Sequence, residues 1–337
     1  MAKYRLSDVS FRDMLNKSIT VKGMMTKFEV KVAKNNSKYA NIVIRDKDKE
    51  AEIRWWDYEE ENNVYMLIGN VYEFCVVVQP YDRGKDGVSL NIDKNAEYSM
   101  STTMEKAEDY LNKEDNAEWA YSTVEKYLNE LQGYELHPLV MGLINDNYTL
   151  YASNSAANSF HHTGIGGLLV HSAGVCQLSV EIAKMYNKLY GKNFINRNIL
   201  IAGALLHDIG KVRELAFDVK KGGSEYTPMS VLESHIVFGI EMVATKAAQL
   251  GLSDRTSVKE LIHIIASHHK LVEYGSPIAP ATIEAQIIAS ADDLDAICNR
   301  YKRVYKDLKE GEGISEWKGG QKLSYFRSAN DGVIPKI

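Results

Sequence analysis

The sequence predicts a multidomain β + α protein, a small N-terminal β-barrel followed by an all-α helical bundle. Residues 18–98 alternate apolar and polar side chains between short polar turns, the period of half-buried strands. Beyond Phe160 the apolar period becomes helical. In that second half the histidines crowd together, and one apolar run, Leu205-Leu206, ends in His207-Asp208.

Ile19–Val32 alternates as far as the polar turn Lys34–Lys38. Tyr39–Asp46 repeats the period and is followed by a second turn. Glu50–Trp56, Val71–Val78 and Val88–Asp93 complete about five strands, and a short helix is expected over Tyr58–Leu67. Five short strands with a helix after the third suggest an OB-like barrel, a platform for single-stranded nucleic acid. Lys38 and Arg54, with the rings of Phe28, Tyr39 and Trp55, offer the charges and stacking faces such binding uses. Alternating lysines equally describe a solvated face, and one of the neighbours Trp55 and Trp56 should point into the core.

Met104–Gln132 is polar with a helical apolar period and reads as an amphipathic connector or the first helix of the second domain; Leu136–Tyr151 reads as a further helix. Gly166–Tyr190, Asn198–Leu206, Met229–Leu250, Thr256–His268 and Thr282–Lys309 follow as helices. A hairpin is expected between Lys211 and Thr227, turning at Lys220–Gly223. The expected organisation is a barrel over 1–100, a helical connector over 101–160, a helical domain over 161–310 and a Gly-rich tail over 311–337.

Composition bounds the chemistry. With 40 basic and 45 acidic residues and a net charge of −5, any polyanion must be met by local positive surface or by metal. Cys75, Cys176 and Cys298 are odd in number and far apart, and read as reduced core residues. The start lacks a signal-peptide apolar core, and no run approaches the ~18 apolar residues of a membrane span. A cytoplasmic protein without a membrane partner is expected, and the tail and polar connector suggest a homo-oligomer.

His171 lies within a helix, His207-Asp208 at a helix end, His235 inside a helix, His268-His269 at another end and Asp292 inside the last. A helical bundle can converge such residues on one pocket. A single helical histidine is commonly a packed or surface residue satisfied by one hydrogen bond. Burying several of them together with a carboxylate calls for partners, which a metal supplies. Imidazole and carboxylate without thiolate suit Mn, Fe, Zn or Mg.

His171, His207-Asp208 with Gly210-Lys211, and Asp292 with Asp295 resemble the HD-domain phosphohydrolase superfamily. The added His235 and His268-His269 resemble its multi-metal branch. More closely, His161-His162 with Gly166-Gly167-Leu168-Leu169 and His171 resembles the YhaM-type 3′–5′ exoribonucleases, as do Glu225–Thr227 and Glu273–Pro277. Those enzymes join an OB-fold to an HD domain. The resemblance implies that His171, His207, Asp208 and Asp292 ligate one metal. His235, His268 and His269 complete a second, with Asp208 bridging. It implies two divalent ions, Mn2+ foremost, with Fe2+, Co2+ or Mg2+ as alternatives. Asp208 and Lys211 then serve catalysis, Lys211 on the phosphate and His162 near substrate. Two departures stand beside ligands: Lys270 where the family has Gly, and Glu233-Ser234 before His235.

Paired metals lower the pKa of water toward about 7 and clamp both reacting oxygens of a phosphodiester, so no strong protein base is needed. The expected function is 3′–5′ exonucleolytic hydrolysis of single-stranded RNA, DNA included as a substrate class. Two alternatives stay open: a phosphodiesterase of cyclic or short oligonucleotides, and a nucleic-acid-binding scaffold with an idle HD domain. Asp295 reads as structural or outer to the ligands, and Glu214 and Asp293 as surface or cap residues.

Overall fold

The computed structural model describes residues 1–306 apart from 48, 57, 60–65, 85–86, 158–161, 219 and 221–222. The core of the helix expected over Tyr58–Leu67, the turn at Lys221-Gly222, His161 and the tail at 311–337 lie outside the described residues. The chain divides into two compact units, Met1–Lys113 with Phe217–Glu225, and Glu114–Ala216 with the remainder from Tyr226.

The first unit is built on β1 (Lys3–Arg5), β2 (Ser18–Val32), β3 (Lys38–Asp46), β4 (Lys49–Trp56), β5 (Val71–Pro80), β6 (Val88–Ile92) and β7 (Met100–Thr102). The sheet order is β1-β2-β3-β4-β6-β5-β7, and a further β2–β5 pairing closes β2 through β6 into an OB-like barrel. Closure depends on β2, which is 15 residues long and serves two neighbours. Ser18–Met24 pairs with β5, and Met24–Val32 pairs with β3 with a register shift between Met25 and Lys27. A bulge of this kind bends a strand and increases its twist, which allows one strand to turn the corner of a barrel. Val21, Met25, Ile42, Ile53, Phe74, Val76 and Leu90 fill the interior. The two short strands β1 and β7 carry too few residues to show a period, so the alternation pattern does not reveal them.

The second unit contains α1 (Ala117–Glu130), α2 (His137–Asp146), α3 (Tyr148–Ser153), α4 (Gly167–Tyr190), α5 (Arg197–Leu206), α6 (Lys211–Glu214), α7 (His235–Gln249), α8 (Thr256–Ser267) and α9 (Ile283–Lys306). A hairpin of β8 (Leu215–Asp218) and β9 (Gly223–Tyr226) follows α6, and most of it belongs to the first unit. Three sequence expectations are corrected here. The helix expected over Met104–Gln132 begins at Ala117, and the single helix over Leu136–Tyr151 breaks at Asn147, whose φ of −116° leaves the helical well. Nor does 101–160 stand apart as a connector. Val124, Tyr127, Leu139 and Tyr151 lie in the same buried core as α4 and α5.

Helix α5 is apolar on every side and fully buried from Ile199 to Leu206, as a helix running through a core must be. Asn196 caps it by accepting from the backbone N–H of Asn198 and Ile199. Its C-terminal end delivers His207 and Asp208 to the middle of the bundle. Helix α4 packs against α1, α5 and α9, and α7 packs against α8. Cys75 and Cys176 are buried as expected of core thiols, whereas Cys298 is exposed on α9. No described helix is long and apolar enough to cross a membrane.

Candidate metal centre

The elements converge the seven ligand candidates from α4, the end of α5, the start of α7, the end of α8 and the middle of α9. Asp208 stands at the centre and is fully buried. Its Oδ2 lies 3.4 Å from His171 Nε2 and 3.5 Å from His207 Nε2. Its Oδ1 lies 3.7 Å from His235 Nε2 and 3.6 Å from His268 Nε2. On the first side, His171 Nε2 is also 3.1 Å from Asp292 Oδ1 and 3.2 Å from His207 Nε2. On the second, the ring of His269 lies 4.2 Å from that of His268 and 5.1 Å from that of His235, centroid to centroid.

The approach of α7 to Asp208 requires Gly210. A Cβ there would fall 1.9 Å from the carbonyl oxygen of His235 and 2.7 Å from the N of Gly239, both backbone atoms that cannot move aside alone. Only glycine allows the turn after Asp208 to rest on the first turn of α7.

Each of the five imidazoles is oriented through Nδ1. That atom meets Ala204 O in His207, Ile265 O in His268 and Tyr274 O in His269, each at 2.8 Å. In His235 it meets Glu214 at 3.0–3.1 Å, and in His171 it meets Asp295 Oδ2 at 2.7 Å. An acceptor at Nδ1 places the proton there and turns the Nε2 lone pair inward, the usual arrangement behind metal-ligating histidine. The loop Glu273–Pro277 is thereby explained. The Tyr274 carbonyl holds the His269 ring, and Ser276 Oγ accepts from the His269 backbone N–H at 3.0 Å.

Three inward atoms test whether this donor set fits a metal. Asp208 Oδ1, His235 Nε2 and His268 Nε2 are buried without a hydrogen-bond partner. Orphaned polar atoms carry a desolvation cost, and three facing one point match a shared cation. The ligand atoms of His235, His268 and His269 lie within 4.8 Å of one another, as do those of His171, His207 and Asp292. The residues fit.

Electrostatics follow from burial against charge. Burial opposes ionisation of Asp208, but Lys211, His207, His171 and His268 hold its carboxyl well below the usual range. Asp292 is likewise held low by His171, His207 and His268 against its burial. Burial pushes His207 down to about 4, which keeps its imidazole neutral and able to ligate. His171, although buried, is raised well above the ordinary value by Asp208, Asp292 and Asp295.

Other candidates sit elsewhere than the pattern suggested. Lys211 is buried, and its ammonium lies 2.5 Å from Asp208 Oδ2, bound to a ligand candidate instead of open to a phosphate. His162 lies one layer behind the ligand candidates. Its Nε2 is 2.9 Å from Asp295 Oδ2, and its Nδ1 is 3.2 Å from Asn299 Nδ2 and 3.5 Å from Glu114 Oε2. It adjoins His171 through Asp295. Glu214 is no surface residue, being buried and holding His235. Asp293 pairs with Lys270. Asn299 and Glu114 carry no sequence signal, because only the fold brings them to His162.

On the barrel, Trp55 packs edge-on against Tyr58, as does Phe28, each at 5.6 Å between centroids, and both pack half-buried against the core. The outward tryptophan is Trp56. It faces Tyr39 across the β3–β4 register with centroids 4.8 Å apart, and its indole donates to Asn91 Oδ1 at 2.7 Å. Arg54, two residues away on the same face, lies 5.1 Å over the Tyr81 ring. Lys38 is exposed at the start of β3.

Residues 168–297 match the HD domain family. The chain is similar to the 3′-5′ exoribonuclease YhaM of Listeria innocua, 30% identical, over 86% of this chain and 88% of that protein. It is also similar to the enzyme of the same name from Bacillus subtilis, 28% identical, over 83% and 85%. Among solved structures, an OB domain from Thermoplasma acidophilum aligns with 32% of this chain and 91% of its own, at 13% identity and a TM-score of 0.24.

Proposed function

The chain belongs to the family of the 3′-5′ exoribonuclease YhaM and is a hydrolytic nuclease with an HD domain, and from that premise we propose that it removes nucleotides from the 3′ end of single-stranded RNA at a centre of two divalent ions. The observation that carries this reading is the division of Asp208, with Oδ2 facing His171 and His207 and Oδ1 facing His235 and His268. His171, His207, Asp208 and Asp292 would hold one ion, and Asp208, His235, His268 and His269 the other. Nitrogen and carboxylate donors without thiolate suit Mn2+, with Fe2+, Co2+ and Mg2+ as competitors. When bound, such a pair supplies an activated water and neutralises the charge that builds at phosphorus.

The residues of the chain supply orientation and charge. Asp295, Glu214 and three backbone carbonyls fix the imidazoles before any substrate arrives, so no reorganisation is needed during reaction. Lys211 holds the Asp208 carboxylate in place through its ammonium. His162 supports His171 through Asp295, which makes it a positioning residue. On the barrel, Tyr39 and Trp56 provide stacking faces, and Arg54 and Lys38 provide charge, for a single strand.

The test uses 5′-labelled single-stranded RNA with Mn2+, beside cyclic dinucleotides and nucleoside triphosphates. A ladder shortening from the 3′ end, absent in Asp208→Ala, is expected. Turnover of cyclic dinucleotides alone would replace this reading with a cyclic-nucleotide phosphodiesterase. No turnover by the wild-type protein would leave a binding role.

A further inference from the structure

We propose that Lys270 is the cation that receives a phosphate of the incoming strand beside the metal centre, an inference that rests on the RNA-shortening reading above. The sequence pattern points to Lys211 for this task, but that ammonium is buried against Asp208. Lys270 differs in every respect that matters. It directly follows His269, and its ammonium reaches the carboxylate of Asp293, which directly follows Asp292. One side chain thus spans from the segment bearing one ligand set to the helix bearing the other. Both partners meet solvent, with side chains 31% and 59% exposed. An exposed ion pair of this kind is weak, so a phosphate oxygen can exchange for the carboxylate at little cost.

The backbone points the same way. Lys270 has a φ of 67°, a left-handed conformation that lysine adopts reluctantly and glycine freely. It is pinned there by its N–H donating to Ser267 O at 2.9 Å, and by the two bonds from His269 to Ser276 and Tyr274. A residue held in an unfavourable backbone conformation beside the candidate centre supports a functional demand on that residue. A monoanionic phosphodiester offers the acceptor oxygens that an ammonium binds as a point charge.

The experiment compares Lys270→Gly, Lys270→Met and Lys270→Arg in the full chain, with 5′-labelled single-stranded RNA and Mn2+. Glycine and methionine should each raise KM about tenfold, the factor of one charge-assisted contact, with kcat within about twofold of wild type. Their kcat/KM should also depend less steeply on salt, by about one phosphate contact. Arginine should restore KM, and the glycine variant should melt no lower than wild type. An unchanged KM and salt slope in both glycine and methionine variants overturns the proposal while the RNA-shortening reading stands. Loss of kcat in proportion to lost bound manganese, measured by elemental analysis, also overturns it, by making Lys270 a support for His269. Failure of the wild-type protein to shorten RNA overturns both.

Discussion

Asp295 Oδ2 lies 2.7 Å from Nδ1 of His171, on the edge of a ring whose other nitrogen faces Asp208 and Asp292. The same oxygen lies 2.9 Å from His162 Nε2, so a single atom ties His162 to His171. Removing the charge while keeping the shape should therefore act on the metal before it acts on the fold. Asp295→Asn is expected to weaken metal affinity 10- to 100-fold, as loss of such orienting partners does, on the order of 1–3 kcal/mol. Calorimetric titration with Mn2+ checks this, and His162→Asn should show a smaller loss of the same kind. Equal affinities in wild type and Asp295→Asn would reduce the contact to packing.

Gly174 sits one turn after His171, and a Cβ there would come within 2.6 Å of Asp295 Oδ1. Gly174→Ala should displace Asp295 and mimic Asp295→Asn in metal titration, with a modest drop in Tm. Gly210→Ala meets backbone on both sides instead of a side-chain tip. Its expected cost is about 3 kcal/mol, at the upper end for overpacking, and thermal unfolding measures it.

The two adjacent tryptophans of β4 should part company under mutation. Trp56→Ala removes an exposed ring stacked near Tyr39, and should cost about 1–3 kcal/mol of binding to single-stranded RNA with little change in Tm. Trp55→Ala removes a half-buried ring packed against the barrel core and should lower Tm instead, by the equivalent of about 1–3 kcal/mol. Fluorescence anisotropy and differential scanning calorimetry on the two variants separate these outcomes. The reverse pattern would assign the binding face to the wrong side of β4.

Acid should loosen the barrel through Asp46. Its carboxylate accepts two bonds from Arg5 at 2.8 Å and one from the Ser7 N–H at 3.0 Å. Burial opposes its ionisation, but these bonds hold its pKa below the usual 3.8. A carboxyl with a depressed folded pKa gives its full stabilisation above the unfolded pKa of about 4, and loses it as pH falls through the folded value. The barrel's melting temperature should accordingly drop below about pH 4. In Asp46→Asn, lower in Tm at pH 7, the contribution of this site to that drop should vanish. Parallel pH profiles for the two proteins would exclude Asp46 as the cause.

Much of the architecture was legible because it rests on period. Alternation marks β2 through β6, and the helical stripes mark α4, α5, α8 and α9 to within a few residues at most ends. Short elements escaped because three residues carry no period, and the break at Asn147 escaped because the apolar stripe continues across it. Among the candidate site residues, those carrying a recognisable motif stand out in the sequence. Glu214 does not, since a charged residue has the same sequence pattern whether it faces water or, as here, the ring of His235, whereas Asp293 is the exposed residue the sequence suggests.

The sequence by itself determined the residue types, their helical or strand setting, and the kinship that comes with them. It determined that five histidines and two aspartates occupy helices and helix ends able to meet. Only the tertiary structure decided which nitrogen of each ring faces inward, that Lys211 is bound to Asp208, and that His162 stands behind His171. It also decided that Trp56, and not Trp55, lies open. The reason is physical. Spacing along a helix or strand sets the face on which a side chain emerges, whereas the partner waiting there belongs to another element, and its position is set by packing.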